Sequence, residues 1–254
     1  MITLASDFGS PYPAAMRGVL ARESDARLHD VAHDLPRQDV RESAFWLRFA
    51  LPEFPPAVHL AVVDPGVGTD RDALVVRAGE HRLVGPDNGL LVPAARALAD
   101  DPPVAFAAAV GDPASATFHG RDVFAPLAAA VHEEGMTALR ETGRLSRTDP
   151  VELTLPAATR EGDAWRAEVL AVDDFGNAIT SVPGAAIDDA ARVTVDGTPA
   201  PAVRTFGAVD PGDRLVTAGS HGYVECDVRE GRGDEAFGLA AGDAVRVVVE
   251  RPEN

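Results

Sequence analysis

The sequence predicts an α/β N-terminal domain with a mostly parallel central sheet, followed by a small C-terminal antiparallel β-barrel. Three observations carry this. Through about residue 132, strand-length apolar runs alternate with helical patterns, the signature of βα layers. From about Gly135 to Thr159 the pattern weakens into a polar, proline-containing connection. Beyond it, short β-patterned runs follow one another across DG, PG and GD turns, as in a small barrel or sandwich. The predicted division is residues 1–150 for the α/β domain, 151–159 for the linker and 160–254 for the barrel domain; 254 residues leave room for two real cores.

In chain order, Ile2 to Ala5 is a short apolar run that ends at Ser6-Asp7-Phe8-Gly9. A helical pattern follows Pro13, with Ala14, Val19 and Leu20 available to a core. Leu28 to Leu35 reads as a second strand, and Asp39 as the N-cap of a helix running to about Leu51, which Pro52, Pro55 and Pro56 close. Val58 to Val63 is a buried strand that delivers Asp64 at its C-terminal end and then breaks on Pro65, Gly66 and Gly68. In open α/β sheets ligands collect beyond the carboxyl ends of the strands, and glycines there let backbone approach them closely. Taken alone, Asp64 reads equally well as a local turn cap.

Next come Ala73 to Ala78 and Arg82 to Val84 as strands, Leu90 to Leu98 as helix and Val104 to Val110 as strand. Thr117 to Asp122 is a turn into a helix from Val123 to His132. In the second half, Trp165 to Val172, Arg192 to Val195, Arg214 to Thr217, Gly222 to Val228 and Ala244 to Val249 are β-patterned, with one helical stretch around Pro183 to Ala191.

Composition narrows the classes of function. Acidic residues outnumber basic ones 40 to 23, a formal net charge of -17, and every basic residue is Arg. Such a surface repels nucleic acid and anionic lipid, so neither is an expected partner. Many carboxylates without flexible ammonium chains suit a protein kept soluble in concentrated salt, and a halophilic cytosol is the expected setting. A GC-rich genome would account for the missing Lys but not for the excess of Asp. No apolar run reaches the ~18 residues that span a bilayer, and the N-terminus lacks a signal-peptide pattern, so the expected compartment is the cytoplasm. Cys226, the only cysteine, excludes an internal disulfide and reads as a buried, inert thiol.

Several motifs invite chemistry and fail on context. DFG at 7–9 follows the first strand without the other kinase motifs, and leaves only a strand-end carboxylate suited to a ribose diol. His29 and His33 sit in an extended segment, about 13 Å apart, too far to share a metal. A Walker lysine is impossible without Lys, and GxSxG is absent. What remains is Asp64, Arg71 and His119, an acid, a guanidinium and an imidazole on loops able to hold and polarise a water. In the second half, Asp173, Phe175 and Asn177 offer an acid, an aromatic face and an amide, a set suited to a purine, although a plain turn reads equally well.

Six ordered blocks together give a specific resemblance: SDFG at 6–9, AVVDPGVGTDR at 61–71, GPDNGLL at 85–91, TFHGRDVFAP at 117–126, VDDFGNAIT at 172–180 and GSHGYVE at 219–225. With them the chain resembles, nearly end to end, the S-adenosyl-L-methionine hydroxide adenosyltransferases, hydrolytic relatives of fluorinase and chlorinase. The resemblance implies an α/β domain and a β-barrel, homotrimers with substrate between the N-terminal domain of one subunit and the C-terminal domain of the next, and no cofactor or metal. It implies that Asp7 binds the ribose hydroxyls, that Phe175 and Asn177 hold adenine, and that Asp173 and Ser220 meet the methionine amino and carboxylate ends. Asp64, Arg71 and His119 match the family's water-handling triad. The halogenating relatives carry Tyr at the positions of Asp64 and His119, and a carboxylate at Asp64 repels halide, so water is the expected nucleophile. Gly120 stands where a serine contacts fluoride in the fluorinase. Two departures are the shorter loop after Gly9, SPYPAAMRG, and His221, where the fluorinase has Arg. The implied activity is hydrolysis of S-adenosyl-L-methionine to adenosine and L-methionine; the alternatives are a non-catalytic adenosine or sulfonium binder, a halide adenosyltransferase and a metal-dependent phosphoesterase.

Overall fold

The computed structural model of the chain describes residues 1–111 and 113–251. The chain divides into two compact units, Met1–Thr154 and a second that begins at Leu155. The first unit runs β1 (Ile2–Ser6), α1 (Tyr12–Glu23), β2 (Leu28–Ala32), α2 (Val40–Ala50), β3 (Val58–Val62), β4 (Ala73–Ala78), β5 (His81–Pro86), α3 (Val92–Ala97), β6 (Val104–Ala108), α4 (Ala125–Glu133), α5 (Gly135–Glu141) and β7 (Leu145–Thr148). Its seven strands form one sheet in the order β2-β1-β3-β5-β4-β6-β7.

That sheet is mixed, which corrects the mostly parallel expectation. The β1/β2, β1/β3 and β3/β5 pairs are parallel, whereas β4/β5, β4/β6 and β6/β7 are antiparallel. The reason is the two-residue link Gly79-Glu80 between β4 and β5: a connection that short makes a hairpin, because parallel neighbours need a crossover of a dozen residues or more. Period-two side chains then split the core between two faces. Val58, Leu60 and Val62 of β3 join Met16 and Leu20 of α1 and Phe124 and Ala128 around α4 on one face. Ala61 and Val63 join Ala44 and Leu47 of α2 and Ala94 of α3 on the other.

Asp39 caps α2 as expected, its carboxylate accepting from the Arg41 and Glu42 amides at 3.0 and 2.9 Å. Other boundaries move. β2 stops at Ala32 and β6 at Ala108, and α3 begins at Val92. The supposed connection from Gly135 contains α5 and β7, the sheet's last strand. Each buries a single residue, Leu139 and Leu145, so their apolar signal is faint. Residues 151–154, expected in a linker, belong to the first unit: the Val151 amide donates to Asp87 at 2.8 Å and Leu153 packs against the second-face core.

The second unit contains β8 (Thr159–Glu161), β9 (Ala164–Val172), β10 (Ala178–Pro183), β11 (Arg192–Val195), β12 (Thr198–Pro201), β13 (Arg214–Ala218), β14 (Tyr223–Val228), α6 (Gly233–Phe237) and β15 (Ala244–Glu250). Every strand pair is antiparallel, in the order β12-β11-β15-β9-β10-β14-β13 with β8 beside β9. The sheet curls nearly to closure, because Ala202, just past β12, bridges to Val216 of β13. Val193, Val195, Val245, Val247, Val249, Val224 and Cys226 point into its core. Burial there pushes the Cys226 thiol up, so it is inert, as expected. The stretch from Pro183 to Ala191 is one 3-10 turn, Gly184–Ile187, and not a helix. Among the described residues no helix is long and apolar enough to cross a membrane.

Candidate active site

β3 ends at Val62 and carries Asp64 just past the sheet, where Val67 N–H closes a turn onto the Asp64 carbonyl at 3.3 Å. The turn returns Arg71 to the carboxylate it started from. Arg71 Nε donates to Asp64 Oδ1 at 2.7 Å and Nη2 to Oδ2, a two-pronged pair in which the side chains are 11 % and 4 % exposed. Arg71 also lies over the Phe124 ring, 4.8 Å from its centroid. The guanidinium is therefore held in orientation by a ring and a carboxylate at once.

His119 enters from the turn before α4. Its Nδ1 lies 3.0 Å from Arg71 Nη2. Arginine only donates, so Nδ1 carries the lone pair and the ring proton of the neutral imidazole sits on Nε2. Residues Gly120–Phe124 form a π-helical turn, and Gly120 packs closely: a Cβ there would lie 2.9 Å from a Phe8 ring carbon and 3.0 Å from Met16 Sδ. A side chain at this position would therefore require Phe8 and Met16 to shift.

Asp7 follows β1, and its Oδ2 accepts from the Gln38 amide at 2.7 Å. Asp7, Asp64 and His119 share the wall of one cleft of about 480 Å³ with Phe8, Tyr12 and Phe118. The three aromatic rings meet edge to face at 5.3 to 6.3 Å between centroids. A larger, more open hollow of about 620 Å³ in the second unit is walled by Pro199, Pro201, Arg214 and Arg232 and holds none of the expected site residues; chemistry and not volume selects the cleft.

The remaining expected site residues lie in the second unit. Asp173 ends the loop's first limb: its Oδ1 accepts from the Phe175 and Asn177 amides at 3.0 and 2.8 Å, and Oδ2 from the Asn177 side chain at 3.0 Å. This closed turn, with Gly176 at φ +86°, leaves Phe175 78 % exposed. The turn reading and the ligand reading of this stretch are thus compatible. Ser220 sits between β13 and β14, where the Gly219 amide donates to the Tyr223 carbonyl at 2.8 Å. His221 turns inward: its Nδ1 accepts from the Tyr223 amide at 3.2 Å, and its Nε2 meets Glu225 Oε1 at 2.7 Å. It is a buried support for the loop.

Three further residues, beyond those expected from sequence, bear on the site or its loops. Gln38 reaches Asp7 through its backbone, which leaves no trace in residue type. Glu225 and Asp227 were legible, since YVECDV alternates and puts both acids on the face opposite Val224, Cys226 and Val228. Asp227 is fully buried beside Glu225, and burial, with the Glu225 and Asp173 carboxylates, pushes it up to about 8. His29 and His33 do not converge on a metal: β2 is extended, and His33 binds Ser6 Oγ at 2.8 Å and Asp30 at 3.1 Å. Among the described residues no group of three or more His, Cys, Asp or Glu is disposed to hold one.

Comparison with known proteins agrees with these blocks. Sequence models of the SAM hydroxide adenosyltransferase N-terminal and C-terminal domains match residues 2–142 and 167–246. A Salinispora tropica protein named (R)-S-adenosyl-L-methionine hydrolase is 43 % identical over 258 residues, covering 97 % of this chain and 97 % of its own. One of the same name from Thermus thermophilus is 44 % identical over 260 residues, covering 96 % and 97 %. A crystal structure of an uncharacterized conserved protein from Thermotoga maritima superposes with a TM-score of 0.85 at 31 % identity, covering 98 % of this chain and all of that one. The chain belongs to the SAM hydroxide adenosyltransferase family.

Proposed function

We propose that this protein hydrolyses S-adenosyl-L-methionine to adenosine and L-methionine, by in-line attack of a water on C5′ at the Asp64–Arg71–His119 cleft. The observation that carries the mechanism is the doubly hydrogen-bonded Asp64–Arg71 pair with His119 on the same guanidinium. The relatives named as hydrolases support the substrate.

The sulfonium is already an activated leaving group. As the water oxygen bonds to C5′, the C5′–S bond breaks, its electron pair neutralises the sulfonium, and methionine leaves as a thioether. The protein supplies position, with the water about 3 Å from C5′ and in line with the C–S bond, and a place for the departing proton. His119 is the poorer acceptor, since its one lone pair faces Arg71 and its Nε2 bears a proton; Nε2–H instead orients the water oxygen. Each Asp64 oxygen keeps a second lone pair, so Asp64 takes the proton, and Arg71 holds the carboxylate toward the water.

In this reading Asp7 binds ribose, Phe175 stacks on adenine with Asn177 reading its edge, and Asp173 and Ser220 take the amino and carboxylate ends. The second unit acts as a barrel that supplies those contacts, the assembly is a homotrimer with sites at subunit interfaces, and no cofactor or metal takes part. Support for the second-unit contacts is the exposed Phe175 on a rigid turn. Incubation with S-adenosyl-L-methionine in molar chloride, followed by product chromatography, tests the function. Adenosine and methionine, unaffected by chelator, are expected. Only 5′-chloro-5′-deoxyadenosine, or turnover no faster than spontaneous decay, would overturn it.

A further inference from the structure

We infer that Gln38 contacts the substrate, its side-chain amide hydrogen-bonding a ribose hydroxyl beside Asp7 and making the site selective for a ribonucleoside. This rests on the hydrolase reading and adds a determinant to it.

The starting point is a conformation. Gln38 has φ +58°, in the left-handed region that side chains other than glycine seldom adopt and that clusters at functional sites. Its surroundings impose it. The Leu35 amide donates to the Ser6 carbonyl at 3.2 Å, the Asp39 amide to the Pro36 carbonyl at 3.2 Å, and Asp39 is committed as the N-cap of α2. Between these anchors the chain turns sharply enough for the Gln38 amide to reach Asp7 Oδ2 at 2.7 Å.

Two consequences follow. Asp7 is held by one oxygen, and its Oδ1 takes no hydrogen bond among the described residues. Glycine would adopt this backbone without strain, yet the chain carries a side chain here, on an exposed residue that lines the cleft together with Asp7. Its carboxamide has no hydrogen bond among the described residues.

The chemistry of the two groups is complementary to a vicinal diol. A carboxylate only accepts, so Asp7 Oδ1 takes a hydroxyl proton, while a carboxamide both donates and accepts and can serve the neighbouring hydroxyl. Being neutral, Gln38 does this without adding charge near the sulfonium. A hydroxyl that loses such a partner loses affinity, and a deoxy analogue leaves the amide unpaired.

The test is calorimetric binding of adenosine, 2′-deoxyadenosine and 3′-deoxyadenosine to the wild type, Gln38→Ala and Gln38→Gly, alongside kcat and KM for S-adenosyl-L-methionine. The wild type is expected to favour adenosine over one of the deoxynucleosides. Both variants should weaken adenosine and raise KM by about 10-fold, leave kcat within about twofold, and bind that deoxynucleoside as the wild type does. Gln38→Gly keeps the turn without strain, so a matching loss in both variants assigns the effect to the side chain. Equal weakening of all three nucleosides, full recovery in Gln38→Gly, or no change in either variant would overturn the inference. Failure of the hydrolase reading would show separately, as absence of turnover in the wild type.

Discussion

Asp64→Asn separates the carboxylate's chemistry from its shape. Asparagine has one acceptor oxygen, so it can receive one of the two Arg71 donors, and its own NH2 faces the other. The guanidinium, 11 % exposed, is left partly unpaired. Breaking a buried ion pair costs about 3 to 5 kcal/mol; with one hydrogen bond and the Phe124 stacking retained, the expected destabilisation is near the lower figure, about 3 kcal/mol. On the proposed mechanism the substitution also removes the general base, which is expected to lower kcat by about 10² to 10⁴-fold. KM should change little, because the proposed mechanism sets Asp64 against the water and not the nucleoside. Urea denaturation reads the first quantity and timed adenosine release the second. The double variant Asp64→Leu/Arg71→Met removes both charges together, and is expected to regain stability over Asp64→Asn without regaining turnover. Asp64→Asn with kcat within about threefold of the wild type would refute Asp64 as the proton acceptor.

Two further expectations concern pH. His59 is buried, hydrogen-bonded to Thr3 and His81 at 2.8 Å each, and burial, with His81 beside it, pushes its pKa down to about 4. Between about pH 4 and 6.5 the unfolded chain therefore binds the extra proton at His59, and the contribution of this residue to stability should fall by about 3 kcal/mol as pH drops through that window; denaturation at several pH values should show the wild type losing about that much relative to His59→Gln, and a constant difference between the two would count against it. Asp227 has the opposite sign. Its folded pKa of about 8 exceeds the unfolded value, so the fold holds a proton that the unfolded chain has released, and stability is lost as pH rises through that range. Asp227→Asn should gain on the wild type by about 1.4 kcal/mol per pH unit between about pH 4 and 8, then level off; a constant difference across that range would count against it.

Reading from residues went furthest where a side chain's identity is its chemistry. Asp64, Arg71 and His119 stand out as an acid, a guanidinium and an imidazole, and they meet on one guanidinium. Asp39 declared itself as a cap because short polar side chains before an apolar periodic run have few other uses. It went less far where pattern is diluted. α5 and β7 lie at the rim of the first unit and bury one residue each, too little to print a period on the sequence. Strand direction leaves no mark in the pattern, because β4 and β5 are apolar in the same way whether neighbours run parallel or not.

The sequence by itself determined the two-part architecture and the chemical character of the Asp64, Arg71 and His119 set. These follow from residue type and local order, which the chain carries explicitly. Only the tertiary structure decided that half of the first sheet's pairings are antiparallel, that Gln38 fastens Asp7 through its backbone, that His221 points inward to Glu225, and which nitrogen of His119 holds the proton. Each of these depends on a partner distant in the chain or on backbone geometry. A hydrogen bond's direction is set by the donor that faces it, and that becomes known when the chain has closed on itself.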